Sequence, residues 1–138
     1  MNLVRFREAV DAEFTRRRQQ NVRYSMRGFA RMLGVHHATL SRLLGDDRPL
    51  QARTIQTLAP RLGFSAIEIQ AFVSNEDLAA VAAAIDRPAF RPSSRWLASV
   101  AGISVDRVNV ALQSLLRCGR LRMASASRWL IVPGVGVD

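Results

Sequence analysis

The chain has 138 residues, of which 49% are apolar, enough for one domain or two small ones with a packed core, so wholesale disorder is excluded. Its net charge of +9 and pI of about 11.6 favour a polyanionic partner, either nucleic acid or an anionic membrane surface. All twenty basic residues are arginine, which forks onto phosphate and guanine edges, although so complete a lack of lysine also reads as GC-rich coding.

In chain order, residues 2 to 20 read as an amphipathic helix, with Leu3, Phe6, Val10 and Phe14 on one face. Arg16, Arg17 and Arg18 close it. They suit a helix C-terminus through the macrodipole, and equally a phosphate-contacting edge. Asn21 to Tyr24 connect to the stretch SMRGFARMLGVHHATLSRLLG, Ser25 to Gly45. Its spacing predicts two short helices around a tight turn. Ser25 is a natural N-cap, and Phe29, Ala30 and Leu33 share a buried face. Gly34 stands where the chain needs positive φ, and Val35 fills the turn. The second helix runs from about His37 to Leu44, buries Leu40 and Leu43, and stops at Gly45.

A polar turn with Pro49 follows, then a helix from about Gln51 to Leu62, with Ile55, Leu58 and Leu62 inward and Pro60 kinking or shortening its last turn. Gly63 closes it. Ser65 caps a further helix through Val73, burying Ile67 or Ile69 and Phe72. EDLAAVAAAID, residues 76 to 86, reads as a separate alanine-rich helix. RPAFRPSSR has two prolines and two serines in nine residues and is the expected domain boundary.

The second half repeats the pattern of the first. Ser94 to Gln113 lays onto Met26 to Gly45 at a constant offset of 68. Leu97 matches Phe29, Ala98 matches Ala30, Gly102 matches Gly34, Ile103 matches Val35, Val108 matches Leu40 and Ala111 matches Leu43. The second helix of this pair continues through Leu112, Leu115 and Leu116 to Cys118, with Gly119 as its stop. Leu121 to Met123 and Trp129 to Val132 then predict a β-hairpin across a small polar turn.

Cys118, the one cysteine, excludes an intramolecular disulfide, fits a reducing compartment and reads as a small core residue. The start, MNLVRFREAV, mixes charges into its apolar residues and makes no signal peptide. The longest apolar patch, Leu78 to Ile85, falls well short of the ~18–20 residues that a membrane helix needs. No glycine-rich phosphate loop, nucleophile motif or spaced acidic pair suggests catalysis. His36 and His37 are adjacent and point about 100° apart on a helix, so no metal site and no cofactor is expected.

The Ser25–Gly45 layout resembles the helix-turn-helix of the Cro and phage-repressor (Xre-like) class of bacterial DNA-binding proteins. Ala30 stands at the helix crossing, Gly34 and Val35 at the turn, and Leu40 and Leu43 as anchors of the second helix. The later helix, helix, hairpin order resembles a winged helix. The combination also resembles a family of bacterial transcriptional regulators. The resemblance implies a mainly α fold, a five-helix repressor-like domain over residues 1–75. A connecting helix and linker over 76–92, a winged-helix-like domain over 93–132 and a flexible tail over 133–138 complete it.

It further implies a non-enzymatic, sequence-specific transcriptional regulator of double-stranded DNA, working as a homodimer in the cytoplasm at the nucleoid. In that class the second helix lies in the major groove. This implies base-reading roles for His36, His37, Ala38, Ser41 and Arg42, with phosphate contacts from Arg27, Arg31, Thr39, Arg48 and Arg53. From Phe14 to Leu62 there are ten arginines against Asp46 and Asp47 alone, so this segment holds +8 of the charge of +9. In the second unit Ser104, Val105, Asp106, Asn109 and Val110 occupy the corresponding positions. Arg107, Arg120, Arg122 and Arg128 are its candidate DNA-backbone contacts, and the same half is equally a candidate dimer or protein-partner surface. A non-catalytic protein-interaction adaptor and an RNA-binding protein stand as the alternatives.

Overall fold

The computed structural model describes residues 5–46 and 48–132; Leu3, Asp47 and the 133–138 tail, each given a part above, lie outside the described residues. The fold is mainly α. Its helices are α1 (Phe6–Gln20), α2 (Met26–Leu33), α3 (His37–Gly45), α4 (Ala52–Leu58), α5 (Ala66–Ile85), α6 (Ser94–Ala101) and α7 (Val105–Arg117). A 3-10 turn, Ala59–Leu62, follows α4, and β1 (Leu121–Met123) pairs antiparallel with β2 (Trp129–Ile131), Leu121 opposite Ile131. No helix of the described residues is long and apolar enough to cross a membrane.

Two compact units divide between Val73 and Ser74. In the first, Phe6, Val10 and Phe14 of α1 pack with Phe29, Ala30 and Leu33 of α2, Leu40 and Leu43 of α3, Ile55 and Leu58 of α4, and Phe72 and Val73 of α5. Aromatic contacts stiffen this core: Phe14 stacks on Phe29 at 5.3 Å, and Phe6 meets Phe72 edge-on at 5.4 Å. The second unit has its own core of Leu78, Val81, Ala84 and Ile85 from α5, Leu97 from α6, Val108, Ala111, Leu112 and Leu115 from α7, and Leu121 from β1.

Some expectations are corrected. The two helices expected on either side of residue 75 are one, α5, of 20 residues. Ser74 and Asn75 interrupt the apolar pattern but cost a helix only tenths of a kcal/mol each, while Phe72 and Val73 are held in the first core and Leu78 and Val81 in the second. The boundary therefore falls inside this helix and not in RPAFRPSSR. That stretch is folded into the second unit by Phe90, whose ring lies 5.9 Å from Trp96 and 5.2 Å from Trp129. At Pro60 the outcome is the expected one: the last turn before Gly63 is shortened, α4 giving way at Ala59 to a 3-10 turn, since Pro60 lacks the N–H that an α-helical bond would need. Cys118, expected in the core, is exposed at the C-cap of α7.

The internal repeat holds in three dimensions. Both α2 and α6 have 8 residues, start after a serine N-cap and end on a left-handed glycine, Gly34 at φ 74° and Gly102 at φ 73°. Ser25 Oγ accepts from the Gly28 N–H at 3.0 Å, and Ser93 Oγ from the Trp96 N–H at 3.3 Å. Gly34 has a second task. Arg61 donates through Nη1 to the Leu33 carbonyl, filling an acceptor that α2 leaves open at its end. A Cβ on Gly34 would collide with that guanidinium, whereas nothing lies within 4 Å of one on Gly102. Gly34→Ala is therefore expected to destabilise its unit by about 2 kcal/mol or more, and Gly102→Ala by only the ~1–2 kcal/mol of the left-handed backbone. Thermal melts of the two variants check this.

Candidate nucleic-acid interface

On α3 the apolar anchors and the polar face separate cleanly. Leu40 and Leu43 are buried, so the opposite side of the helix points outward. His37, Ala38, Ser41 and Arg42 lie there, at intervals that place them on one face, and all four are exposed. Together they line an open cleft of about 1060 Å³. The cleft offers an imidazole, a methyl, a hydroxyl and a guanidinium, a set that can hydrogen-bond or pack against base edges. His36 is not part of it. It is exposed at the N-cap of α3, with no side-chain cap bond.

Arg7, which the sequence reading passed over, closes one wall of the same cleft. It reaches from the first turn of α1 to α3, where Nε donates to the Leu43 carbonyl, and Nη2 donates to the Arg48 carbonyl at 2.8 Å. The Leu43 carbonyl is in the last turn of α3, where helix carbonyls lack intrahelical partners and a cation is favoured. Arg7 thus ties the end of α3 to the loop after it. Its one sequence signal is its place at the edge of the Phe6–Val10–Phe14 face; the partners are 36 and 41 residues away.

A second cleft, of about 460 Å³, brings Thr39, Arg42 and Arg48 together with Gln51 and Thr54. Arg48 donates its backbone N–H to Asp46 Oδ1 at 2.9 Å and its Nε to Oδ2 at 2.8 Å. These bonds, the backbone one foremost, hold the Asp46 carboxyl below the ordinary carboxylate range. The Arg48 side chain is 83% exposed, so a phosphate can compete for it at little cost. Arg27 and Arg31 on α2 and Arg53 on α4 are also exposed but line neither cleft.

The charge of this segment is less available than its count suggests. Glu13 takes two bonds from Arg16, at 2.9 and 2.7 Å, and one from Arg17 at 2.6 Å. Its carboxyl is pushed down to about 2, chiefly by the Arg16 hydrogen bond and against the cost of burial. Arg17 also covers the Phe29 ring at 5.7 Å and Tyr24 at 6.0 Å, and Arg18 covers Phe14 at 5.6 Å. Arg17 thus holds the end of α1 against Tyr24 and Phe29, while the contacts of Arg16, which is 54% exposed, and of Arg18 stay within α1.

The second unit presents different chemistry at the matching positions. Ser104 Oγ caps α7 by accepting from the Arg107 N–H at 3.2 Å. Asn109 Oδ1 accepts from Ser94 Oγ at 2.7 Å. Arg107, a candidate DNA-backbone contact, is paired with Asp77 through two bonds of 2.9 and 2.6 Å, because α5 sets a carboxylate beside the start of α7, and its side chain is 41% exposed. Arg120 is half-buried, and its Nε is buried without a partner among the described residues. Arg122 on β1 and Arg128 in the turn before β2 are exposed. No protein-family model matches this chain, and neither does any curated protein or solved structure.

Proposed function

We propose that this protein is a sequence-specific, non-catalytic transcriptional regulator of duplex DNA. In this reading α2 and α3 act as a repressor-like helix-turn-helix, α3 enters the major groove, and α6, α7 and the hairpin act as a small winged helix. The observation that supports it best is the single exposed face of α3 that gathers His37, Ala38, Ser41 and Arg42 in one cleft above buried Leu40 and Leu43. Arg42 would take guanine O6 and N7 together, His37 and Ser41 would meet neighbouring base edges, and the Ala38 methyl suits a thymine methyl or a close approach. Thr39 and Arg48 in the adjoining cleft, with Arg27, Arg31 and Arg53 beyond it, would hold the phosphates and set the register. Arg7 would steady the groove-side helix by its two carbonyl bonds. A homodimer would match a two-fold operator.

Because several phosphates are neutralised, affinity for a duplex is expected to fall at least tenfold between about 50 and 200 mM salt. Fluorescence anisotropy of labelled duplex and of RNA of the same sequence, at both salts, checks it. A flat response argues for a protein adaptor, and tighter binding to the RNA argues for an RNA-binding role.

A further inference from the structure

One carboxylate stands among the arginines at the α3 face. Asp46 lines both clefts, the first with Arg7 and Arg42 and the second with Arg7, Arg42 and Arg48, and no other acid among the described residues lines either. It accepts the Arg48 backbone N–H at 2.9 Å and the Arg48 Nε–H at 2.8 Å. A backbone N–H and a guanidinium are donors that proteins ordinarily offer to a nucleic-acid phosphate. Asp46 thus engages, from within the chain, donors that an approaching duplex would use.

The two bonds do different things. The backbone bond closes a turn just past the end of α3, a task that asparagine and serine side chains also perform. The side-chain bond closes no turn, and its Arg48 partner is 83% exposed, so the ion pair is worth little to the fold. Its effect is electrostatic: a fixed negative charge sits against a cation of the basic face. Held low by the Arg48 bonds and more weakly by Arg7, the carboxyl is ionised at any pH near neutral.

We infer that Asp46 is an internal competitor for phosphate: it holds Arg48 in the free chain, gives it up when a duplex binds, and so restrains affinity for the DNA backbone. The inference rests on the duplex-DNA reading and adds to it a residue that limits binding. Freeing Arg48 leaves the Asp46 carboxylate without its partner. It then takes up a cation from solution, which offsets part of the counterion release that drives binding. Removing its charge is therefore expected to tighten binding most at low salt and to steepen the salt dependence, a pattern that a mere change of loop shape would not give.

Fluorescence anisotropy of the full chain on a random-sequence duplex, at about 50 and 200 mM salt, tests it. Asp46→Asn keeps the turn and loses the charge. It is expected to bind about two- to fivefold tighter at the lower salt, the span of an exposed ion pair, with a salt slope steeper by up to about one ion. Asp46→Ser, which can close the turn through its hydroxyl, is expected to do the same, and circular dichroism confirms that each variant is folded. With Arg48→Ala already in the chain, Asp46→Asn is expected to add at most a small part of that gain, because the contested cation is gone. An equal gain with and without Arg48 would mean general repulsion of the duplex and overturns the competition. Unchanged or weaker binding by Asp46→Asn, when the unaltered chain does bind the duplex, overturns the inference alone. No duplex binding by the unaltered chain overturns the DNA reading and the inference with it.

Discussion

Phe29→Ala is expected to unfold the first unit or bring it to the edge of unfolding. Phe29 is fully buried, stacked on Phe14, set edge-on to Tyr24 at 6.2 Å and covered by Arg17. Truncation removes the ring's transfer free energy, leaves a cavity between α1 and α2, and ends the aromatic and cation contacts. Buried Phe→Ala changes cost about 3–5 kcal/mol, against a total of about 5 kcal/mol for the least stable small domains. The core of the second unit holds none of these residues. Calorimetry should therefore show an early transition split from a later one, together with loss of duplex binding. A single transition near that of the unaltered chain would mean that the first core does not depend on this ring.

The second large effect separates specificity from affinity. Arg42 and Arg31 carry the same charge, but Arg42 lines both clefts of α3, while Arg31 stands on the exposed side of α2. Arg42→Ala is expected to cost about 1–3 kcal/mol on a cognate duplex and little on a random one, since a base-edge bond is lost. Arg31→Ala is expected to weaken both duplexes alike and to lower the salt slope by about one ion. Exposed substitutions leave folding within about half a kcal/mol, so neither variant is compromised by stability. Titration against selected and scrambled duplexes at two salt concentrations distinguishes them. Equal losses on both duplexes would make Arg42 a phosphate contact and shift the reading face to another register of α3.

Local signals were legible where the physics is local. The α2 cap at Ser25, the left-handed Gly34, the buried set Phe29, Ala30, Leu33, Leu40 and Leu43, and the offset of 68 to the second pair were all readable from spacing. Two arginines were not, because their partners are remote. Arg7 meets carbonyls 36 and 41 residues on, and Arg61 meets one 28 residues back. Composition misled at RPAFRPSSR, where two prolines and two serines outweighed Phe90, the residue that the second core uses. At residue 75 the reverse occurred: a polar interruption resembled a boundary between helices, and packing on either side carried one helix through it.

The matched pairs α2–α3 and α6–α7 amount to a duplicate part within one chain, and a duplicate part can be re-lettered. The residues that differ most between the two outer faces, at 105, 106, 109 and 110, touch none of the positions that hold α7 to its core at 108, 111, 112 and 115. Rewriting an exposed helix face costs the fold within about half a kcal/mol per position, so what each pair recognises can drift while the scaffold under it stands still. Transplanting the His37, Ala38, Ser41 and Arg42 lettering onto α7 is for the same reason a surface graft and not a redesign, with loss of the Ser94–Asn109 bond as its main local expense.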